Sequence, residues 1–421
     1  MTLGPEIDGG RLLARLDAFA AIGATPAGGV NRPALGAEDR AARALLAGLG
    51  AARGFSVFQD AAANLFLRRA GADNDRPPFL IGSHLDSQPT GGRFDGALGT
   101  LAALEVLETL EDHGIVTAGP VELVAWTNEE GSRFSPGAFG SQVYAAGAFP
   151  SGWQDTVDGN GIRLADELAA TFAALPEAVE RPLGRPVTGY IELHIEQGPL
   201  LEREGALIGV VEGIQGTRWL EVTIEGQVAH AGTTPLADRR DAMAAAAAVI
   251  ARLQATVMPA DADARLTVGR LILAPGAVNV IPGEVTFSID LRHPSGDEID
   301  RLEAEVGALA AEIAASGGCR LSVRRNMDVA PARFDERLVG IVEGVARRRG
   351  FPSRRMFSGA FHDALFMARL GPAAMIFVPC RGGLSHNEAE FVEPHQVIAG
   401  AQVLCDAVLE AMPVVETRQM P

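Results

Sequence analysis

The stretch PFLIGSHLDSQPTGGRFDGALG, residues 78–99, predicts three elements in succession. Its apolar start indicates a buried β-strand, and the apolar residues of 97–110 indicate a helix. The glycine-rich turn between them carries His84, Asp86 and Asp95. A strand, a polar turn and a helix form the unit of α/β sheets, whose ligands bind beyond the carboxyl ends of the strands. Carboxylates crowded beside a histidine repel one another unless a cation lies between them, so the turn also suggests a metal site.

Similar elements occur on both sides of this stretch. A helical pattern covers 37–52, and apolar, strand-like runs occupy 55–58, 64–69, 121–127, 190–195 and 373–378. Strands that alternate with helices predict an α/β sheet with helices on both faces. Residues 136–161 are rich in Gly, Ser and Ala with weak periodicity, which predicts a surface loop or a lid.

A different pattern begins near residue 214. Alternating strands are predicted at 217–226, 264–274, 284–292 and 320–325, with helices over 238–253 and 296–315. Asp238 is the predicted N-cap of the first of these helices. This order is βαββαβ, the ferredoxin-like split unit. We therefore predict an α/β domain formed by residues 1–213 and 329–421, with an inserted domain over residues 214–328.

Composition narrows the classes of partner. The chain has 421 residues, 47% of them hydrophobic, and a formal net charge of −17, which disfavours nucleic acid and anionic membranes as partners. Its three cysteines are not in CxxC spacing and predict neither disulfides nor a thiolate zinc site. The N-terminus lacks a signal-peptide pattern, and the longest near-apolar run, 242–253, is too short to span a bilayer. We expect a cytoplasmic protein.

Four of the predicted strands end in metal-binding residue types. The groups that follow them are His84, Asp86 and Asp95; Asn128, Glu129 and Glu130; His194 and Glu196; and His386 and Glu388. Imidazole and carboxylate donors suit Zn²⁺, Mn²⁺, Co²⁺ or Ni²⁺. Two ions that share one carboxylate, with three protein ligands each, need five side chains, and the five predicted here are His84, Asp95, Glu130, His194 and His386. Glu129 stays free beside a ligand, which makes it the predicted general base.

Six segments resemble one enzyme family. GSHLDSQPTGGRFDGALG (82–99), TNEEGSRF (127–134), ELHIEQGPLLE (192–202), AHAGTTP (229–235), GAVNVIPGEVTFSIDLRHP (276–294) and GLSHNEAEF (383–391) are similar to the M20-type metallo-amidohydrolases. The resemblance covers nearly the whole chain. It is to the ureido-cleaving branch, which contains N-carbamoyl-L-amino acid hydrolases, allantoate amidohydrolases and β-ureidopropionases.

The resemblance implies a fold and a set of roles. It implies a zinc-exopeptidase-like catalytic domain, an inserted dimerisation domain, a homodimer, and two divalent metal ions per subunit bound by the five predicted ligands. Glu129 matches the family's catalytic base, and Asp86 matches the acid behind the first histidine, where it would set the tautomer of that ring. The positions that match substrate-binding residues are Gln197, His230, Asn279 and Arg292, and His230 could also donate a hydrogen bond to the carbonyl oxygen.

The resemblance also suggests a substrate. The related peptidases and deacylases commonly have a carboxylate where this chain has His194, whereas the ureido branch has histidine. The implied substrate is therefore a small ureido compound with a carboxylate, whose carboxylate Arg292 would bind. We predict hydrolysis of N-carbamoyl-L-amino acids to amino acid, CO₂ and ammonia, as in hydantoin and ureide metabolism.

Alternatives remain open on sequence alone. Allantoate and N-carbamoyl-β-alanine are other possible substrates, although GIQGTRW (213–219) differs from the corresponding stretch of many allantoate enzymes. A metallo-dipeptidase or deacylase is a more remote alternative, and a non-enzymatic binding protein is disfavoured because every ligand and base position is filled. Phe361, in SGAFHDA, adds bulk where the family often has glycine. His362 and Asp363 lie near a predicted helix start without an assigned role.

Overall fold

The computed structural model describes residues 3–417, which form two compact units. Within the described residues, the first unit comprises residues 3–213 and 333–417, and the second comprises residues 214–332. The boundary at the C-terminal end of the second unit thus falls between residues 332 and 333, whereas the sequence predicts it between 328 and 329. The predicted position lies inside the strand Arg320–Val329, which belongs to the second unit.

Strands and helices are numbered along the whole described chain. The strands are β1 Ser56–Asp60, β2 Leu65–Arg69, β3 Phe79–His84, β4 Ile115–Thr117, β5 Val121–Trp126, β6 Val179–Arg181, β7 Gly189–Ile195, β8 Ile208–Ile214, β9 Gly216–Glu225, β10 Ala229–His230, β11 Arg265–Thr267, β12 Leu271–Ala274, β13 Val280–Ile281, β14 Glu284–His293, β15 Arg320–Val329, β16 Ala332–Arg333, β17 Ser353–Ser358, β18 Ala373–Val378 and β19 Val414–Thr417. The α-helices are α1 Gly9–Ala20, α2 Ala37–Ala52, α3 Ala97–Asp112, α4 Phe139–Ala146, α5 Leu164–Ala174, α6 Leu200–Glu204, α7 Ala242–Ala260, α8 Gly296–Ser316, α9 Glu336–Arg348, α10 Ala364–Met367 and α11 Pro394–Ala411.

The first unit is built on a mixed sheet in the order β16-β8-β18-β7-β3-β5-β2-β1-β6, with β17 paired to β8. Its four central strands, β18, β7, β3 and β5, are mutually parallel, and every residue in them is buried. Strands buried on both faces are apolar almost throughout, which is why these four were readable from the sequence. The predicted α/β class is confirmed.

Helices cover both faces of the central strands. Gly400 of α11 lies against the side chains of Leu193 and Val378, whereas the preceding residue of β7, Glu192, accepts a hydrogen bond from the Ala364 amide of α10 at 2.9 Å. Successive side chains of a strand point to opposite faces, so α10 and α11 lie on opposite sides of β7.

The predicted loop over 136–161 is only partly a loop. It contains α4 and a 3₁₀ turn at Trp153–Asp155, and Phe139 and Val143 of α4 belong to a hydrophobic cluster with Phe134. Alanine and glycine gave this segment little periodicity, but the buried aromatic residues stabilise a short helix there.

The second unit is an antiparallel sheet in the order β11-β14-β9-β15, with β12 also paired to β14. Burial alternates along β9 and β14, and the buried face packs against α7 and α8. The predicted N-cap was wrong: residues 236–238 form a 3₁₀ turn, and Asp241 caps α7 by accepting from the amides of Met243 and Ala244.

Within residues 3–417, one helix is long and apolar enough to cross a membrane by length and composition. It is α7, Ala242–Ala260, with a mean hydropathy of 1.4. Core helices pass the same test, and Ala246, Val249 and Leu253 of α7 lie in the hydrophobic core of the second unit.

Gly99 allows α3 to pack closely on the sheet. A Cβ on this residue would lie 2.1 Å from the Leu193 carbonyl oxygen and 2.9 Å from the Ser83 Cβ. We expect Gly99→Ala to lower the free energy of unfolding of the first unit by about 1–3 kcal/mol through overpacking. Gly340→Ala is the matched control, because Gly340 is exposed in α9 with nothing near its Cβ position, and it should stabilise by about 0.5–1 kcal/mol. Urea unfolding midpoints measure both, and equal effects would contradict the close approach.

Candidate metal centre

The four central parallel strands place all five predicted ligands at one edge of the sheet. His84 ends β3, His194 lies next to the end of β7, and Glu130 and His386 follow β5 and β18. Asp95 follows the turn after β3. The carboxyl ends of parallel strands meet at the same edge, which is where ligands of α/β sheets bind.

The five side chains form two groups that share Asp95. One group is His84, Asp95 and His194, and the other is Asp95, Glu130 and His386; within each, the ligand atoms lie within 4.8 Å of one another. The Oδ1 atom of Asp95 lies 3.1 Å from His194 Nε2 and 3.5 Å from His84 Nε2. Its Oδ2 atom lies 3.5 Å from His386 Nε2. One carboxylate thus turns one oxygen toward each group.

The atoms in these groups suit divalent ions. His84 Nε2 is buried without a hydrogen-bond partner, although carboxylate oxygens of Asp95 and Glu129 lie 3.5 Å away. Unpaired buried polar atoms are rare because they cost free energy, and His84 Nε2 is such an atom facing two carboxylates. Among residues 3–417 neither group includes a cysteine, so the donors are the nitrogens and oxygens that Zn²⁺, Mn²⁺, Co²⁺ and Ni²⁺ accept.

Main-chain carbonyl groups set the tautomers of the two buried histidines. His84 Nδ1 lies 2.9 Å from the Asp86 carbonyl oxygen, and His194 Nδ1 lies 3.0 Å from the Ile195 carbonyl oxygen. A carbonyl oxygen can only accept, so each Nδ1 carries a hydrogen, and each ring in its neutral form turns an Nε2 without hydrogen toward Asp95.

Asp86 lies where the sequence predicts, but its carboxylate has a different contact. The main-chain oxygen of Asp86 accepts from His84, and the nearest side-chain oxygen lies 3.8 Å from His84 Nδ1. The carboxylate accepts from the amides of Glu129 and Glu130, each at 3.2 Å. The tight turn after β3 brings the main chain closer to the ring than the side chain, so Asp86 positions the two glutamates.

Asp95 and the two buried histidines shift one another's pKa values. Burial lowers the pKa of His84 and of His194, but the carboxylates of Glu129 and Asp95 outweigh burial at His84, and Asp95 does so at His194, so both pKa values are raised. Burial raises the pKa of Asp95, and the two histidines more than reverse this, which holds the pKa of Asp95 well below its ordinary value.

The two adjacent glutamates are hard to ionise. Burial, followed by the charge of Asp95, raises the pKa of Glu130 from 4.5 to about 8. Burial also raises the pKa of Glu129 well above its ordinary value, with Asp363 and Glu130 adding to the effect. A buried carboxyl with a raised pKa beside candidate ligands is the arrangement expected of a group that exchanges a proton.

Gly96 permits the contact between the turn and the first histidine. Its φ is +62°, and a Cβ there would lie 2.3–2.4 Å from three atoms of the His84 ring. Its amide donates to His194 Nε2 at 3.3 Å. The FDG sequence at 94–96 therefore allows Asp95 to stand between the two rings.

Three residues that hold the predicted ligands in place were not predicted from the sequence. Buried Glu390 accepts from the amides of Phe94 and Asp95, both at 3.0 Å. Ser385 donates to Asp95 Oδ2 at 2.8 Å and lies 3.0 Å from Glu390 Oε2. Gln88 donates to Glu130 Oε2 at 2.8 Å. Ser385 and Glu390 flank His386 in SHNEAE, and that proximity is the only signal the sequence offers.

Gln197 and the pair His362–Asp363 also lie in the first unit. Gln197 has φ +56°, and its Nε2 donates to Asp95 Oδ2 at 2.8 Å, so its amide faces the ligands. Glu192, His194 and His362 form a further buried group. Both oxygens of Glu192 already accept hydrogen bonds, from Ser83 and from the Ala364 amide, which makes it a poorer ligand than Asp95.

Two of the residues predicted in the second unit adjoin each other. His230 pairs with Val280 between β10 and β13, and the Ala231 amide donates to the Asn279 carbonyl oxygen at 3.0 Å. Arg292 lies on β14 and donates from Nε and Nη2 to both oxygens of Asp290, at 3.0 and 2.8 Å. Asp290 was not predicted from the sequence. It lies two residues before Arg292 on β14, so the two side chains are on the same face of the strand.

Metal loading is expected to release protons. With a pKa of about 8, Glu130 is mostly protonated at pH 7, and a bound cation displaces its proton. Because the pKa of Glu130 is higher in the folded protein, protonation of Glu130 stabilises the folded state. This contribution to the free energy of unfolding is fully present below pH 4.5 and is lost as the pH rises through 8, so the protein without added metal should lose stability across that window. Zinc titration calorimetry at pH 7 in buffers of different ionisation enthalpy measures the proton release. Glu130→Gln should flatten the pH dependence of the urea midpoint; binding without proton release would contradict the assignment.

Comparison with known proteins agrees with this geometry. The model of Peptidase family M20/M25/M40 matches residues 80–410. The N-carbamoyl-L-amino-acid amidohydrolases of Rhizobium meliloti and Geobacillus stearothermophilus are each 40% identical to the chain, over 98% and 96% of it and 98% of each relative. Allantoate amidohydrolase of Bacillus subtilis is 34% identical over 92% of the chain and 94% of that relative.

A solved structure gives the same result for the fold. The crystal structure of an amidase of the hydantoinase/carbamoylase family from Burkholderia multivorans is 43% identical, with a TM-score of 0.91, and covers 96% of this chain and 98% of that one. The chain therefore belongs to Peptidase family M20/M25/M40 and is a hydrolase of its ureido branch.

Proposed function

We propose that the protein hydrolyses N-carbamoyl-L-amino acids to amino acid, CO₂ and ammonia. The observation that carries the proposal is the convergence of four side chains on a fifth, the shared Asp95, with Glu129 beside them and outside both groups. The names of the relatives at 40% identity support the same substrate class.

The two groups around Asp95 would hold two divalent ions. His84 and His194 would bind one ion, Glu130 and His386 the other, and Asp95 would bridge them. When bound, such ions act as Lewis acids and lower the pKa of water. The donor set is compatible with Zn²⁺, Mn²⁺, Co²⁺ and Ni²⁺.

Glu129 would act as the general base and then as the general acid. It would take a proton from the attacking water and return it to the amino-acid nitrogen, while the carbonyl carbon gains an oxygen and loses its bond to that nitrogen. The carbamic acid formed in this step would then break its remaining C–N bond to give CO₂ and ammonia. Its burial and its raised pKa support this role, and the Asp86 carboxylate holds its main chain in place.

The remaining roles concern substrate binding. Gln197 would contact the ureido group, and its hydrogen bond to Asp95 places it beside the ligands. His230 would donate a hydrogen bond to the carbonyl oxygen, with Asn279 beside it. Arg292 would bind the substrate carboxylate, with Asp290 holding its guanidinium group in position.

We also propose that the second unit is a ferredoxin-like dimerisation domain. Its strand order and its two helices on one face support the ferredoxin-like type. The exposed side chains of Leu271, Ile272 and Leu273 on the short strand β12 support pairing with a second copy, since exposed apolar strands invite association. The cytoplasmic location stays a prediction of the sequence.

Allantoate is the second candidate substrate, favoured by the 34% identity to an allantoate amidohydrolase. N-carbamoyl-β-alanine and dipeptides are further outcomes of the same assay. Cleavage of a dipeptide alone would contradict the ureido assignment and favour a peptidase.

Replacing the proposed base should abolish most of the activity without removing the metals. We expect Glu129→Gln to lower kcat by about 10²–10⁴-fold for N-carbamoyl-L-methionine, because proton transfer is lost while every proposed ligand remains. Ammonia release with Zn²⁺-, Mn²⁺-, Co²⁺- and Ni²⁺-loaded protein measures the activity, and elemental analysis checks metal content. Unchanged kcat at full metal content would remove Glu129 from the mechanism.

Removing the proposed carboxylate anchor should act on substrate binding. We expect Arg292→Met to raise KM for N-carbamoyl-L-methionine about 10- to 100-fold, the effect of losing a charged hydrogen-bond pair. N-carbamoyl-L-methionine amide is the control substrate, because it lacks the carboxylate and should be cleaved equally by both proteins. An equal loss on both substrates would indicate that Arg292 serves the structure of β14 instead.

A further inference from the structure

The imidazole of His230 accepts two main-chain hydrogen bonds. The Gly232 and Thr233 amides donate to His230 Nδ1, at 3.0 and 3.2 Å. A ring nitrogen that accepts carries no hydrogen, so the neutral ring has its hydrogen on Nε2. His230 is exposed, and its Nε2 is therefore presented as a hydrogen-bond donor.

One peptide plane connects this ring to Arg239. The amide of Gly232 and the carbonyl group of Ala231 belong to the same peptide unit, and in a planar trans unit they point in opposite directions. Arg239 Nη2 donates to the Ala231 carbonyl oxygen at 2.7 Å, while the Gly232 amide donates to His230. The guanidinium group of Arg239 therefore binds the carbonyl side of this peptide unit, and the imidazole of His230 accepts from its amide side.

A second contact of Arg239 closes the same turn. Its Nε donates to the Thr234 carbonyl oxygen at 3.0 Å, and the Thr234 hydroxyl donates to the His230 carbonyl oxygen at 2.8 Å. Arg239 therefore binds carbonyl groups on both sides of the two amides that face the ring. It is half-buried, and its fork-shaped guanidinium group suits two carbonyl oxygens better than a single ammonium would.

We propose that Arg239 is a positioning residue that holds His230 in its Nε2–H tautomer. The inference rests on the proposed function in one respect, because the purpose of that tautomer is to donate a hydrogen bond to the substrate's carbonyl oxygen. The tautomer itself is measurable without substrate.

The first test is spectroscopic. The protein is labelled with ¹⁵N-histidine, and long-range ¹H–¹⁵N correlations report which ring nitrogen carries hydrogen; His230→Gln assigns the His230 signals. We expect the Nε2–H pattern in the wild type and a mixture of tautomers in Arg239→Met, with Arg239→Lys closer to wild type. An Nδ1–H pattern in the wild type, or no change in Arg239→Met, would overturn the proposal.

The second test is kinetic. We expect Arg239→Met to lower kcat about tenfold, in proportion to the loss of the competent tautomer, and His230→Ala to lower it about 10²–10³-fold. In the His230→Ala background, Arg239→Met should cause no further loss, because the ring that it positions is absent. A full additional tenfold loss there would assign Arg239 a merely structural role.

Arg240→Met is the matched control. Arg240 is the next residue, and its side chain passes beside Gly318 instead of the turn that holds His230. It should leave the tautomer and kcat unchanged, and thermal unfolding checks that every variant is folded. If no ureido compound is cleaved by the wild type, the proposed function fails, while the spectroscopic test still decides the role of Arg239.

Discussion

The arrangement of the site depends on the carboxylate of Asp95. It stands between His84 and His194 on one side and His386 on the other, with one oxygen turned to each side. A buried carboxylate that belongs to one group of ligands can bind one ion. A carboxylate that two groups share can bind two ions a short distance apart. The other four proposed ligands could serve two neighbouring ions only because Asp95 belongs to both groups.

Holding a carboxylate in this place requires many supporting contacts. Glu390 accepts hydrogen bonds from the amides of Phe94 and Asp95, Ser385 donates to Asp95 Oδ2, and Gly96 leaves room for the His84 ring. Burying charges is costly unless each has partners, and misplacement by about 1 Å is costly in rate. The surroundings of Asp95 are therefore as specific as the ligands themselves.

The proposed chemistry is divided between two units of the chain. The proposed ligands and Glu129 belong to the first unit, and His230, Asn279 and Arg292 belong to the second. In each unit a charged side chain orients the residue that is proposed to meet the substrate. Asp86 does so for Glu129 through the main chain, Asp290 for Arg292 directly, and Arg239 for His230 through a peptide plane.

The sequence by itself determined the α/β class, the four central strands, the order of elements in the inserted unit and the residues at the strand ends. These follow from local periodicity and from motifs, which do not require distant contacts. It failed where the competing choices were local and nearly equal. Asp238 and Asp241 are both good N-cap residues, but Asp238 ends a 3₁₀ turn, and Asp241 is the residue that accepts from the first amides of α7.

Only the tertiary structure decided how the site is supported. That the main-chain oxygen of Asp86 meets His84, that Glu390 binds the Asp95 turn, and that Arg239 reaches Ala231 all depend on the direction of individual peptide groups and side chains. Sequence patterns specify which residues are available and on which face they lie. They do not specify which of several polar atoms on a residue makes the contact, because that is set by the three-dimensional path of the whole chain.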